Sequence, residues 1–327
     1  MHKGWNQLLA AFLLGAIMPG LMLRMEKFKS YDPIKPMVTV PSPEQQPTQG
    51  VEIANNIPVL LDTGSIRVME LESYILGVVL AEMPASFELE ALKAQAVVAR
   101  TYALRRMILR DRHSGCAICT DSACCQAYIS EETYLQTLGG REDLEKIRQA
   151  VRLTTGQVLT YGGELAEATY FSCSGGRTED ASAVWGGDIP YLQAVDSPGE
   201  EKAPIYEKTV YFSQNDFSAA LGRYLSGSPQ TWLGKVTLTD GGGVATMFIG
   251  GIGYTGTELR KLLGLNSTAF TMTADAGGIF VTTRGKGHRV GMSQYGADAM
   301  AVGGSTFREI LAYYYPGTEI DNYATMG

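Results

Sequence analysis

Hydrophobic and polar positions divide the chain into three unlike stretches. From Leu8 to Leu23 (LLAAFLLGAIMPGLML) no charge interrupts an apolar run, with Lys3 before it and Arg24, Lys27 and Lys29 after it. Extended back to Trp5, the run approaches the about 20 residues that a membrane-spanning helix needs. A cleaved signal peptide shares this outline. No small-x-small cleavage site follows, which favours an uncleaved anchor over residues 1–29. Residues 30–56 are poor in apolar anchors, and five prolines fall between Ser30 and Gly50. That composition makes an extended linker. Residues 57–327 then carry a globular pattern.

Within the globular part, Ile66, Val68 and Glu70–Leu71 predict a strand running into a helix over Glu72–Val79. Leu89–Leu109 is the strongest helix, rich in Ala, Leu, Lys, Gln and Arg and free of Gly and Pro. Its Leu89, Leu92, Ala96, Ala99, Ala103 and Met107 recur at a helical period and predict one buried stripe. A cysteine-rich loop, His113–Gln126, leads to a helix over Arg141–Ala150. Gln157–Tyr161, a Gly162-Gly163 turn and Ala168–Phe171 predict a hairpin. Short helices are expected over Thr257–Leu263, with Thr257 as cap, and Phe307–Tyr314. No internal repeat is present. The class is α+β, mixed helices and β-hairpins around one substrate cleft.

Composition adds two limits. Hydrophobic residues at 45% and charged residues at 19% are ordinary for a chain with a real core. The net charge of −7, with no Lys/Arg-rich run, argues against a nucleic-acid partner.

One carboxylate stands out. Glu82 lies between Val79-Leu80-Ala81 and Met83-Pro84, and the proline ends its helix. A carboxyl at a helix end among apolar neighbours resists ionisation and can hold a proton for donation. Cleavage of a glycosidic bond needs such a donor at the leaving oxygen. Arg100 and Lys93, seven residues apart on the long helix, share a face, from which a cation could hold a substrate carboxylate or acetamido carbonyl. Ser172-Cys173-Ser174-Gly175-Gly176 follows a predicted strand, and its small residues allow close backbone approach to a sugar. His288 and Ser293-Gln294-Tyr295 supply polar groups in a second glycine-rich loop.

Five cysteines are present, four of them within ten residues: Cys116, Cys119, Cys124 and Cys125, with Cys173 apart. An odd number argues against a complete set of internal disulfides. Close behind His113, this cluster suits tetrahedral Zn²⁺. A Cys116–Cys124 disulfide or free thiols are the alternatives. HExxH is absent, and His2, His113 and His288 are the only histidines. Catalytic zinc shells of the usual kind are thereby disfavoured.

Four stretches in order, Val78–Pro84, Ala91–Tyr102, Ser172–Trp185 and Gly285–Ala297, resemble the stage II sporulation protein D family. The resemblance covers residues from about 57 to the end. It implies a lytic transglycosylase cutting the MurNAc–GlcNAc bond of peptidoglycan glycan strands during engulfment, beside a cell-wall amidase or endopeptidase. It places the folded part outside the cell membrane, anchored by the N-terminal helix, in the mother-cell membrane facing the forespore. It implies catalytic roles for Glu82 and Arg100, and substrate roles for Lys93, Gln95, Ser172, Ser174, Gly175, Gly176, His288, Gln294 and Tyr295. By its spacing the zinc ligands would be His113, Cys119, Cys124 and Cys125, a closed structural shell with Cys116 to spare. The same domain occurs in amidase-enhancer proteins, so a non-catalytic glycan-binding module that activates an amidase is the competing function.

Overall fold

The computed structural model describes residues 55–326 apart from Asp111. The expected anchor, and nearly all of the expected linker, lie outside the described residues. Among the described residues no helix is long and apolar enough to cross a membrane. The rest is a mixture of helices and short strands, in keeping with the α+β expectation.

The chain opens with a hairpin of β1 (Asn56–Leu60) and β2 (Ile66–Glu70), which runs straight into α1 (Leu71–Glu82). The Glu70 side chain accepts from the Ser73 N–H and caps α1. Met83 is extended and Pro84 follows, so Glu82 is the last helical residue, as expected from the proline. The next helix, α2 (Leu89–Leu109), is the centre of the molecule. The sequence predicts one buried stripe, but Ala91, Ala94, Val97, Val98, Tyr102 and Leu104 are all buried as well, covering the whole circumference. Its alanines let other helices close in on every side, so the helix lies inside the core instead of on its surface.

Strand β3 (Ile118–Cys119) adds to β1 in parallel. Helices α3 (Glu131–Thr137) and α4 (Arg141–Leu153) follow, the latter three residues longer than expected. The predicted hairpin is real but shorter: β4 (Gln157–Tyr161) pairs with β5 (Glu164–Leu165) around the two glycines. Gly162 and Gly163 both have positive φ (60° and 84°), as a tight hairpin turn requires. The second predicted strand instead leaves the hairpin. Tyr170–Phe171, β6, pairs in parallel with Met292–Ser293, more than 100 residues later in the chain.

After α5 (Ala181–Trp185) the chain builds a second, smaller apolar core. It contains β7 (Glu207–Ser213), α6 (Gln214–Ala220), the meander β8 (Leu233–Leu238), β9 (Val244–Ile249) and β10 (Ile252–Thr255), α7 (Gly256–Leu263), β11 (Phe270–Ala274) and β12 (Gly278–Arg284). The α7 cap is Thr255 rather than Thr257, in a reciprocal capping box with Glu258. The chain then returns to the main core through β13 (Met292–Ser293), α8 (Gln294–Val302), α9 (Phe307–Tyr314) and β14 (Glu319–Asn322).

Candidate active site

The end of α1 meets the segment that follows the cysteine-rich loop. Tyr128 lies flat over α1, its ring stacked on Tyr74 at 5.8 Å. That approach requires Gly77, because a Cβ there would stand 2.2 Å from the Tyr128 ring. The consequence is chemical: the Ala127 N–H donates to Glu82 Oε1 at 2.8 Å. Glu82 Oε2 receives Gln294 Nε2 at 3.5 Å, from the first turn of α8. The Tyr170 hydroxyl lies close enough to favour the ionised form of this carboxyl. Behind it, Gln126 Nε2 donates to the Tyr170 oxygen at 3.0 Å, and the Tyr74 hydroxyl donates to Gln126 Oε1 at 3.3 Å. The phenols of Tyr74 and Tyr170 are both buried and driven well above their ordinary range, so they remain donors.

Glu82 therefore stands beside a directed chain, Tyr74 to Gln126 to Tyr170. Burial raises its pKa above the ordinary carboxylate value, and the three donors pull it partly back. A raised folded-state pKa means that the protonated form favours the fold. That contribution is complete below about pH 4.5, the unfolded value, and is lost as pH rises through the folded value. Glu82 as a residue is half-buried, with its carboxyl turned inward. No second carboxylate is among the groups that shift it. Glu90 is taken up by Lys93 Nζ (2.7 Å) and the Phe307 N–H (2.8 Å). The exposed Glu88 gives its own N–H to Asp298.

The other expected site residues divide. Gln294 reaches Glu82, and Tyr295 sits beside it, its ring edge-on to Phe87 at 5.0 Å. Arg100 does not reach the site. Its guanidinium is fully buried and fork-bonded to Glu72 (2.7 and 2.6 Å) at the opposite end of α1, with the Gln157 carbonyl at 3.0 Å. The shared face of Lys93 and Arg100 turns inward, against other helices, so the expected substrate contact of Arg100 gives way to a structural ion pair. Lys93 holds Glu90 and covers the Phe307 ring at 4.4 Å. Gln95 is fully buried, with no protein partner for either amide atom among the described residues, and cannot touch a strand.

The Ser-Cys-Ser-Gly-Gly loop is likewise committed. Ser174 N, Ser174 Oγ and Gly175 N all donate to Glu200 Oε2 at 2.8 to 3.0 Å, and Cys173 Sγ lies 3.1 Å from the same oxygen. Gly176 N donates to Ser174 Oγ, and the Ser172 carbonyl accepts from Tyr295 N. The loop's donors, expected to face a sugar, wrap an internal carboxylate that no local motif announces. His288 is a brace. Its ring stands edge-on to Phe171 (5.6 Å) and tilted to Trp185 (5.2 Å), and its Nδ1 accepts from Val290 N. Burial, then Arg260, lowers its pKa to about 4, which keeps it neutral. Beside it, Arg289 donates to the carbonyls of Ser174, Arg177 and Gly241. It thereby ties the smaller core to the loop.

His113, Cys119, Cys124 and Cys125 converge so that their ligand atoms all lie within 4.8 Å of one another. His113 Nε2 is 3.2 Å from Cys125 Sγ and 3.6 Å from Cys124 Sγ. Cys116 is buried outside this group, and all five thiols are unpaired. One imidazole and three sulfurs are the donor set of a structural zinc site.

The model of the family described as "Stage II sporulation protein" matches residues 62–161, which include α1, α2 and the cysteine-rich loop. Stage II sporulation protein D of Bacillus subtilis is 44% identical over 262 residues, spanning 78% of this chain and 76% of its own. The chain belongs to the stage II sporulation protein D family. The Bacillus amyloliquefaciens member is 41% identical, over 78% of this chain and 75% of its own. The amidase enhancer of Bacillus subtilis is 29% identical over 76% of this chain, which spans only 40% of that longer protein. Tyr74, Gln126, Ala127 and Tyr170 are the surroundings of Glu82 that sequence reasoning misses, as it misses Glu200 inside the serine loop. Only Gln126 and Ala127 carried a signal, by following the cysteines directly.

Proposed function

We propose that this stage II sporulation protein D family member is a lytic transglycosylase of peptidoglycan glycan strands. The observation that carries the reading is Glu82, one desolvated carboxyl with neutral donors around it and no acidic partner. Protonated Glu82 gives its proton to the oxygen between MurNAc C1 and GlcNAc as that C1–O bond breaks. The resulting carboxylate takes the proton from the MurNAc 6-hydroxyl while that oxygen bonds to C1. A 1,6-anhydro ring forms, Glu82 is protonated again, and no water is consumed. A hydrolase would need a second carboxylate to activate water. Tyr170, Gln294 and the Ala127 N–H hold the carboxylate in place between the two transfers.

The proton balance sets the pH dependence. Cleavage by wild type falls on the alkaline side as Glu82 loses its proton. Gln294→Leu removes a donor that favours the ionised form, so its alkaline limb moves to higher pH in a pH–rate profile. A limb that moves down would contradict the assignment.

His113, Cys119, Cys124 and Cys125 would hold a zinc ion. Bound there, the ion closes a four-ligand shell and fixes the loop that delivers Gln126 and Ala127. Metal analysis of the purified chain should give one zinc per molecule. Chelation should lower its melting temperature by about 10 °C and release the three ligand thiols, so that all five titrate once the chain is unfolded. A disulfide would leave only three. The reading also includes an N-terminal membrane anchor, an extracytoplasmic catalytic domain at the engulfing membrane and an amidase or endopeptidase partner.

The amidase-enhancer relative supports a second reading, a glycan-binding module that activates an amidase without cleaving. That role does not require a carboxyl with a raised pKa.

A further inference from the structure

A short connector leads from the reacting carboxyl into the central helix, and two other helices hold it. Glu82 ends α1, and α2 begins at Leu89. Between them the Phe87 N–H donates to the Pro84 carbonyl at 3.1 Å, which folds the connector into a turn. Lys146, half-buried on α4, commits its ammonium to this turn. Its Nζ donates to the Ala85 carbonyl at 2.8 Å and to the Phe87 carbonyl at 2.6 Å. A lysine head ordinarily stays in water. Here it is spent on two main-chain oxygens just beyond Glu82.

Helix α8 lies along the same connector. Gln294 and Asp298 are one turn apart on it and share a face. Gln294 Nε2 reaches Glu82 Oε2 at 3.5 Å, and Asp298 Oδ1 accepts from the Glu88 N–H at 2.7 Å. Tyr295 packs edge-on against the buried Phe87 ring. One helix therefore meets the connector at both ends and in between. Glu88 precedes α2 without a cap bond from its own side chain, so the Asp298 carboxylate also stands at a helix N-terminus, where negative charge is favoured. Burial, and to a lesser degree the Glu88 charge, raises the pKa of Asp298, while the Glu88 N–H and Lys146 oppose them. Neither Lys146 nor Asp298 is among the groups that bond to Glu82 or shift it. Their influence on it passes through the connector.

We infer that Lys146 and Asp298 are positioning residues, which clasp the connector between α4 and α8 and keep the Glu82 carboxyl seated against the Ala127 N–H and Gln294. The inference rests on the glycan reading for what Glu82 does, while the seating is a property of the free protein. Misplacing a reacting group by about 1 Å costs on the order of 10²-fold in rate. A loosened clasp therefore acts on kcat and leaves strand binding alone.

The test uses the full-length chain carrying Lys146→Met, which keeps the side chain's length and loses its donors, or Asp298→Ala. Each should lower kcat for glycan cleavage about tenfold with KM unchanged. Lys146→Arg can still donate to the two carbonyls, and Asp298→Asn can still accept from the Glu88 N–H, so both should recover most of the loss. Amide hydrogen exchange of the free protein gives a second reading. The Ala127 N–H, bonded to Glu82, should lose protection in Lys146→Met and Asp298→Ala. The Ile129 N–H, bonded to the Gly77 carbonyl of the same helix at 3.1 Å, should keep it. Equal loss at both amides, or a lower melting temperature with kcat and Ala127 protection as in wild type, would reduce the clasp to structural support and overturn the inference. A wild type that cleaves nothing would overturn the glycan reading, and the exchange pattern would still decide the clasp.

Discussion

Glu82→Gln should lower the rate of glycan cleavage by about 10³-fold, within the range a positioned general acid supplies, while the protein stays folded and still binds strands. Glutamine keeps the shape of the side chain, and its carbonyl can still accept from the Ala127 N–H. What disappears is the transferable proton. The variant should also be more stable than wild type at neutral pH, because burial raises the pKa of Glu82 and an ionised group there costs stability. Loss of activity together with a gain of stability is the mark of a strained functional carboxyl, and thermal melts beside rate measurements read both. An inactive variant that melts earlier would place Glu82 among structural residues instead.

The second large effect concerns Arg100. Its guanidinium is wholly buried and satisfied by Glu72 and the Gln157 carbonyl. Arg100→Ala leaves the Glu72 carboxylate without its partner, a change that costs about 3–5 kcal/mol in buried pairs. At this size that is a fall of about 10 °C in melting temperature. Arg100→Lys should recover only part of it, since an ammonium cannot reproduce the two-pronged bond. Joint replacement of Glu72 and Arg100 by leucine should recover more. Any variant that stays folded at low temperature should retain its KM for glycan. A variant as stable as wild type with a raised KM would return Arg100 to the substrate.

The placement of these residues shows what local sequence can reveal. Glu82 was legible because its signal is local: an apolar run, a proline and a carboxyl between them. The long helix and the last one, Phe307–Tyr314, were legible from period and composition for the same reason. The partners of Glu82 were not. Tyr170 looks like the end of a hairpin until β6 is seen to pair with β13, and no short-range pattern encodes a parallel pairing across such a separation. Glu200 resembles a surface acid, yet it is buried by the loop it holds. Arg100 misled for the opposite reason. Its spacing from Lys93 correctly gives a shared face, but periodicity does not say whether a face meets solvent or another helix. The cysteines were legible as a cluster. That Cys116 stands outside it, and that the segment after the same loop brings Ala127 to Glu82 and Gln126 to Tyr170, emerged only in three dimensions.

The central claim is that one carboxyl cleaves the strand without water. Mass spectrometry of the products from peptide-stripped glycan strands tests it most directly, with the full-length wild type beside Glu82→Gln. The account predicts 1,6-anhydro-muramyl ends, each one water lighter than a reducing end, from the wild type alone. Hydrated reducing ends would contradict it, as would strands left intact by a wild type that binds them, which is the outcome the amidase-activating reading predicts.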